Sequence, residues 1–211
     1  MRIALRGLIA IPIFGILIFL TTGCASGIND EAAIGQSLRA AMDKGVSLNN
    51  EEKKLYEIMN RYRNQKGLHA IPLSPSLTKV AQIHVRDLMS DPPTGKCNMH
   101  SWSGGGPWSS CCYTDDHAAA QCMWDKPREL TAYTGSGFEI AYGGTPGYRA
   151  NAHGALEGWK GSSGHHNVIV NRSIWKDNNW KAVGIGVYGS YAVIWFGEES
   201  DTQMQGMLRR E

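Results

Sequence analysis

Residues 182–197 read AVGIGVYGSYAVIWFG. Two runs rich in β-branched and aromatic residues flank Gly189–Ser190, and a two-residue Gly-X link suits a type II′ hairpin between antiparallel strands. Both runs are almost continuously apolar. A strand with one wet face alternates, whereas an unbroken apolar run belongs to a strand covered on both faces. The hairpin therefore predicts a sheet with other elements packed on each side.

The cover is helical. Asn49 or Asn50 can cap a helix whose first turn holds Glu51 and Glu52, where carboxylates favour the positive end. Leu55, Ile58, Met59 and Tyr62 recur at helical spacing, and Gly67 stops it. HAIPLSPS follows as an extended stretch broken by Pro72 and Pro75. A second helix is predicted from about Ser76 to Ser90, with Leu77, Val80, Ala81, His84, Val85 and Leu88 on one face and DPP at its end. In that apolar stripe His84 reads as a packed, hydrogen-bonded core histidine. HAAAQCMW (117–124) can form a helical turn, and GSGFEIAYGG (135–144) reads as a short strand entering a Gly-rich loop. A third helix is predicted over Ala150 to Lys160, burying Ala152, Leu156 and Trp159; SSGHHNVIVN (162–171) then breaks and re-extends the chain. Helices, a loop and antiparallel strands make an α+β fold, a three-layer α-β-α sandwich with a mainly antiparallel central sheet.

The chain has 211 residues and a net charge of +2, so nothing argues for nucleic acid as a partner. Arg2 and Arg6 precede an apolar run from Leu8 to Leu20, which is shorter than the ~20 residues of a spanning helix. Residues 1–23 therefore read as an export signal. LTTGCAS resembles the lipobox of bacterial lipoproteins, although Leu20 sits one place early and Thr21 takes the usual Leu position. The resemblance implies that Cys24 is lipidated and becomes the first mature residue. It places the protein at the bacterial envelope, anchored in a membrane (the outer one if present) or secreted. Residues 24–48 read as a tether plus a short helix with a weak stripe of Ile34, Leu38, Ala41 and Met42. Residues 49–200 form the predicted domain and 201–211 a tail.

Four cysteines remain beside Cys24: Cys97, Cys111, Cys112 and Cys122. In an exported chain they read as two disulfides. A bridge between neighbours is strained, because adjacent Cα atoms lie ~3.8 Å apart and relaxed bridges prefer ~5.5–6 Å. Cys97 therefore pairs with one of Cys111 and Cys112, and Cys122 with the other; both partitions stay open.

In register, these pieces resemble the CAP superfamily of cysteine-rich secretory proteins, antigen 5 and pathogenesis-related proteins. Asn60 and Arg63 fit the family's N-x-x-R in the first helix, and His100 in MHSWS fits its first signature histidine. GFEIAYG looks like its G-E-N-I-A segment, GWKGSSGHHNVIVNRSIW like W-x-x-S-x-G-H-x-x-N-I, and residues 182–197 like its closing hairpin. The resemblance spans about residues 50–198 and implies the CAP fold, with a cleft where two histidines and two acidic residues gather and, in some members, hold zinc or another divalent cation.

Carried over by position, the second histidine is His165, with His166 as an adjacent rival. The family's first glutamate falls on Phe138, with Glu139 one place later and so on the opposite face of a strand. The other glutamate falls on Ser162. A catalytic zinc site uses three protein ligands and an open position, and the set on offer is His100, His165 and Glu139. Cys97, His100, Cys111 and Cys112 make a poorer set, since an adjacent Cys pair reaches a tetrahedron badly and export favours oxidation. Neither Ser101, beside His100, nor Ser162, near His165, sits in a G-x-S-x-G elbow. The expected cleft is lined by His100, Trp102, Glu139, His165, His166 and Ser162, with Asp115, Asp116 and His117 nearby. Trp102, Trp108 and Trp124, if exposed, would stack on sugars or cover an apolar ligand; buried, they fill space under the loops. The expected function is binding of an extracytoplasmic ligand. The alternative is a divalent-metal-dependent hydrolase of peptide or cell-wall material.

Overall fold

The computed structural model describes residues 23–203. Most of the expected signal segment lies outside them, as does the side chain of Cys24. The chain runs through α1 (Gly23–Asp43), α2 (Asn50–Gln65), α3 (Pro75–Ser90), α4 (Ala120–Trp124), α5 (Lys126–Leu130), β1 (Phe138–Gly143), α6 (Ala152–Gly161), α7 (Ser163–Ile169), a 3₁₀ turn at Ser173–Trp175, β2 (Ala182–Tyr188) and β3 (Tyr191–Gly197). The sheet order is β1-β3-β2, all antiparallel. Gly189 has φ 57° at the first hairpin position, as a II′ turn requires.

Alternation along β3 divides the core in two. Ala192, Ile194 and Phe196 join Val183, Ile185 and Val187 of β2 under α1, α2, α6 and α7. Tyr191, Val193 and Trp195 face the other way and pack with Leu77, Val80, Ala81, Val85 and Leu88 of α3. Both faces are thus covered, which is why the strands show no polar alternation. The small face of β2 lets α3 lie close: a Cβ at Gly184 would overlap the backbone of Leu77 and Thr78, and one at Gly186 the backbone of Ala81.

Local chemistry sets the helix ends. Asn49 and Glu52 form a reciprocal capping box on α2, each bonding the other's backbone N–H at 2.9 Å. The N-x-x-R pair is a clamp. Asn60 accepts from Ile71 N–H (2.8 Å) and donates to its carbonyl (3.2 Å), and Arg63 donates to the carbonyls of His69 (3.1 Å) and Ile169 (2.5 Å).

Three expectations need correction. The segment read as a tether with a short helix is the 21-residue α1, which belongs to the core through Ile34, Leu38 and Ala41, while Met42 faces out. Residues 163–169 are helical rather than extended. The domain also runs past residue 200: buried Asp201 accepts bonds from the Ser74 hydroxyl (2.6 Å) and the Ser76 N–H (2.8 Å) at the start of α3.

The bridges are Cys97–Cys112 and Cys111–Cys122. They flank a two-way backbone pairing of Trp102 with Cys111 (2.8 and 2.9 Å). Lys126, fully buried, braces the same loop: its ammonium donates to the Ser109 carbonyl and to Glu129, and sits 5.3 Å from the centre of the Trp102 ring.

Candidate functional site

Strand β1 is an outer strand of the sheet, and its register decides where its carboxylate goes. Glu139 lies opposite Trp195 and shares that residue's face, toward α3. There its buried Oε1 meets Nδ1 of His84 at 2.5 Å and its Oε2 meets Nδ1 of His100 at 2.8 Å. His84 is fully buried and stacks on Trp102, with ring centres 4.3 Å apart and planes 6° from parallel. Its Nε2 lies 2.9 Å from the Ser101 carbonyl. Burial opposes charge on His84, but the Glu139 carboxylate and the Ser101 carbonyl outweigh it, and its pKa is raised. Burial likewise pushes Glu139 up, but the two histidines outweigh it and hold its pKa below the usual carboxylate value.

His100 keeps 20% of its side chain exposed, enough to reach a cavity of about 490 Å³. That volume is in the range of small-ligand sites. It is lined by His100, His117 and His165 and by the apolar Met123, Trp124, Phe138, Val168 and Trp175. Ile174, 81% exposed, also lines it. His165 Nδ1 lies 2.9 Å from the Ser162 hydroxyl, and burial together with nearby His100 lowers its pKa. A second cavity of about 420 Å³, lined by Tyr142, Tyr148 and Ser162 among others, shares His165, which therefore lines both.

The structure thus brings His100, Glu139 and His165 to one place. His166 turns away, to the Tyr62 hydroxyl at 2.8 Å. Trp102 is buried behind His84 and is no part of the cavity wall, whereas Trp124 is. Asp115 and Asp116 are exposed and bond Asn98 and Thr114. Ser101 is buried, its hydroxyl accepting from Tyr113 N–H at 2.9 Å.

Each oxygen of Glu139 meets one imidazole nitrogen, so this carboxylate of the expected metal set is shared between His84 and His100. Among the described residues no group of three or more His, Cys, Asp and Glu is placed to hold a metal ion.

The sequence profile of the cysteine-rich secretory protein family, CAP, matches residues 56–196. The chain belongs to this family. Among solved structures, this CAP chain is similar to an extracellular protein containing an SCP domain from Bacillus anthracis str. Ames. The TM-score is 0.50 at 15% identity, over 72% of this chain and 41% of that one. It also matches a cysteine-rich secretory protein from Staphylococcus aureus subsp. aureus Mu50, with TM-score 0.46 and 17% identity, over 71% of this chain and 39% of that one. It therefore spans about two fifths of the length of these chains. No curated protein sequence matches it.

Sequence reasoning missed His84 as a member of this CAP site. Its place in an apolar helical stripe signalled burial correctly. The available hint was the one-residue displacement of the glutamate: moving it to position 139 sends it to the α3 face, where His84 is the stripe's titratable member.

Proposed function

We propose that this CAP protein is exported and binds an extracytoplasmic ligand in the cavity between His100, His165 and the Trp124–Phe138–Trp175 wall. The observation that carries the reading is that cavity, whose lining is mostly apolar with three histidines among it, which is the ordinary anatomy of a binding site. Export is supported by the N-terminal signal pattern and by two bridges, which persist in oxidising compartments. Lipidation of Cys24 would tether it at the envelope.

The test is to incubate purified protein with separated glycan, peptide and lipid fractions of a bacterial envelope and to read retained mass by native mass spectrometry. Wild type should retain a component that a Trp124→Ala, His165→Ala double variant loses. Equal retention by the variant, or none by wild type, would sink the reading.

A further inference from the structure

We infer that His84, Glu139 and His100 form a proton-ordered chain that presents Nε2 of His100 to the cavity as a hydrogen-bond acceptor. The site then takes a ligand offering an O–H or N–H donor beside an apolar or ring face, rather than an anion. The ligand class rests on the cavity reading above; the chain rests on hydrogen-bond geometry alone.

The Ser101 carbonyl has no proton to give, so Nε2 of His84, 2.9 Å away, carries one and donates it. The contact between Nδ1 of His84 and Oε1 of Glu139 holds a single proton. Whichever of those two atoms it rests on, Oε2 remains an acceptor, and Nδ1 of His100 at 2.8 Å must donate to it. The remaining arrangement puts a proton on Oε2. It would leave His84 a fully buried cation facing a neutral carboxyl, at the heavy cost of a charge without its counter-ion. With Nδ1 protonated, the Nε2 of a neutral His100 carries a lone pair. His84 touches nothing in the cavity and acts as a positioning residue, through Glu139.

A lone pair in an apolar cavity repels a carboxylate or phosphate and accepts from a hydroxyl or amide N–H. Trp124, Phe138 and Trp175 line the same cavity as a contiguous aromatic group and suit a ring or aliphatic face.

Nitrogen-15 spectra of histidine-labelled, full-length protein near neutral pH test the chain directly. The expected result is the Nδ1–H tautomer at His100, the minor form of free histidine, with His84 protonated on Nε2. The Nε2–H tautomer at His100 would overturn the proposal. Phenol and anisole then probe the ligand class, since they share a ring and differ in the donor. Phenol should shift the Nε2 resonance of His100, and His165→Ala should leave its tautomer in place. An equal shift by anisole overturns the donor preference. If the tautomer is as expected and neither probe moves the resonance, the cavity reading fails and the chain stands.

Discussion

Glu139 is buried with an imidazole against each oxygen, so its neighbours matter more to stability than an exposed pair would. Removing His84 strands a carboxylate in the core. His84→Leu is expected to lower unfolding free energy by about 3–5 kcal/mol in urea titrations, the usual loss when one partner of a buried pair is deleted. The pH dependence has two arms. Glu139, lowered from its ordinary 4.5, stabilises the fold above that value and loses the contribution as pH falls through its folded pKa. His84, raised from 6.5, contributes fully below that value and loses the contribution as pH rises through its folded pKa. The pair therefore stabilises most between 4.5 and 6.5. Urea midpoints of wild type against pH should show that window, and His84→Leu should flatten it. His100 and Glu139 are nominated by position in the chain; His84 is signalled only indirectly, by the displaced glutamate, because its partner is 55 residues away.

Among elements, α3 and β2 approach more closely than any side chain would allow. Gly184→Ala is expected to push α3 off the sheet and cost about 1–3 kcal/mol or more, as overpacking does, visible as a lower thermal midpoint. Asn49→Ala removes the α2 cap and a 3.0 Å bond to the Val187 carbonyl. A loss of about 1–2 kcal/mol is expected, and Asn49→Asp should recover the capping part of it. The strong helices and the hairpin were legible because their apolar spacing and caps are local signals. Helix α7 was not: Gly164 and the two histidines at 165 and 166 weaken local propensity, and its formation rests on Val168 and Ile169 packing into the core. Helix α1 shows weakly in the sequence for a related reason, since a stripe of four apolar residues, of which Met42 faces out, says little until α2 is present to cover the other three.

At the scale of the molecule, the bridges hold the loop that carries His100. Mass mapping of peptides under non-reducing conditions should recover Cys97–Cys112 and Cys111–Cys122; any other pairing would contradict the loop geometry. Cys97→Ser with Cys112→Ser removes the constraint on a 15-residue separation. It is expected to cost about 2–4 kcal/mol and to broaden the His100 resonances. Cys24→Ser should move the protein from the membrane fraction to the medium if the anchor is as proposed. Periodicity, turn chemistry, composition and family resemblance suffice to read the layered α+β class, the hairpin, the main helices, the number of bridges and the histidine to watch. Which cysteines pair, the burial of Trp102 as a support, the absence of His166 from the cavity and the joining of His84 to His100 through Glu139 emerge only from the packed fold. Those outcomes depend on which face of β1 a residue occupies and on what α3 places opposite it, and local sequence does not encode contacts made across the sheet.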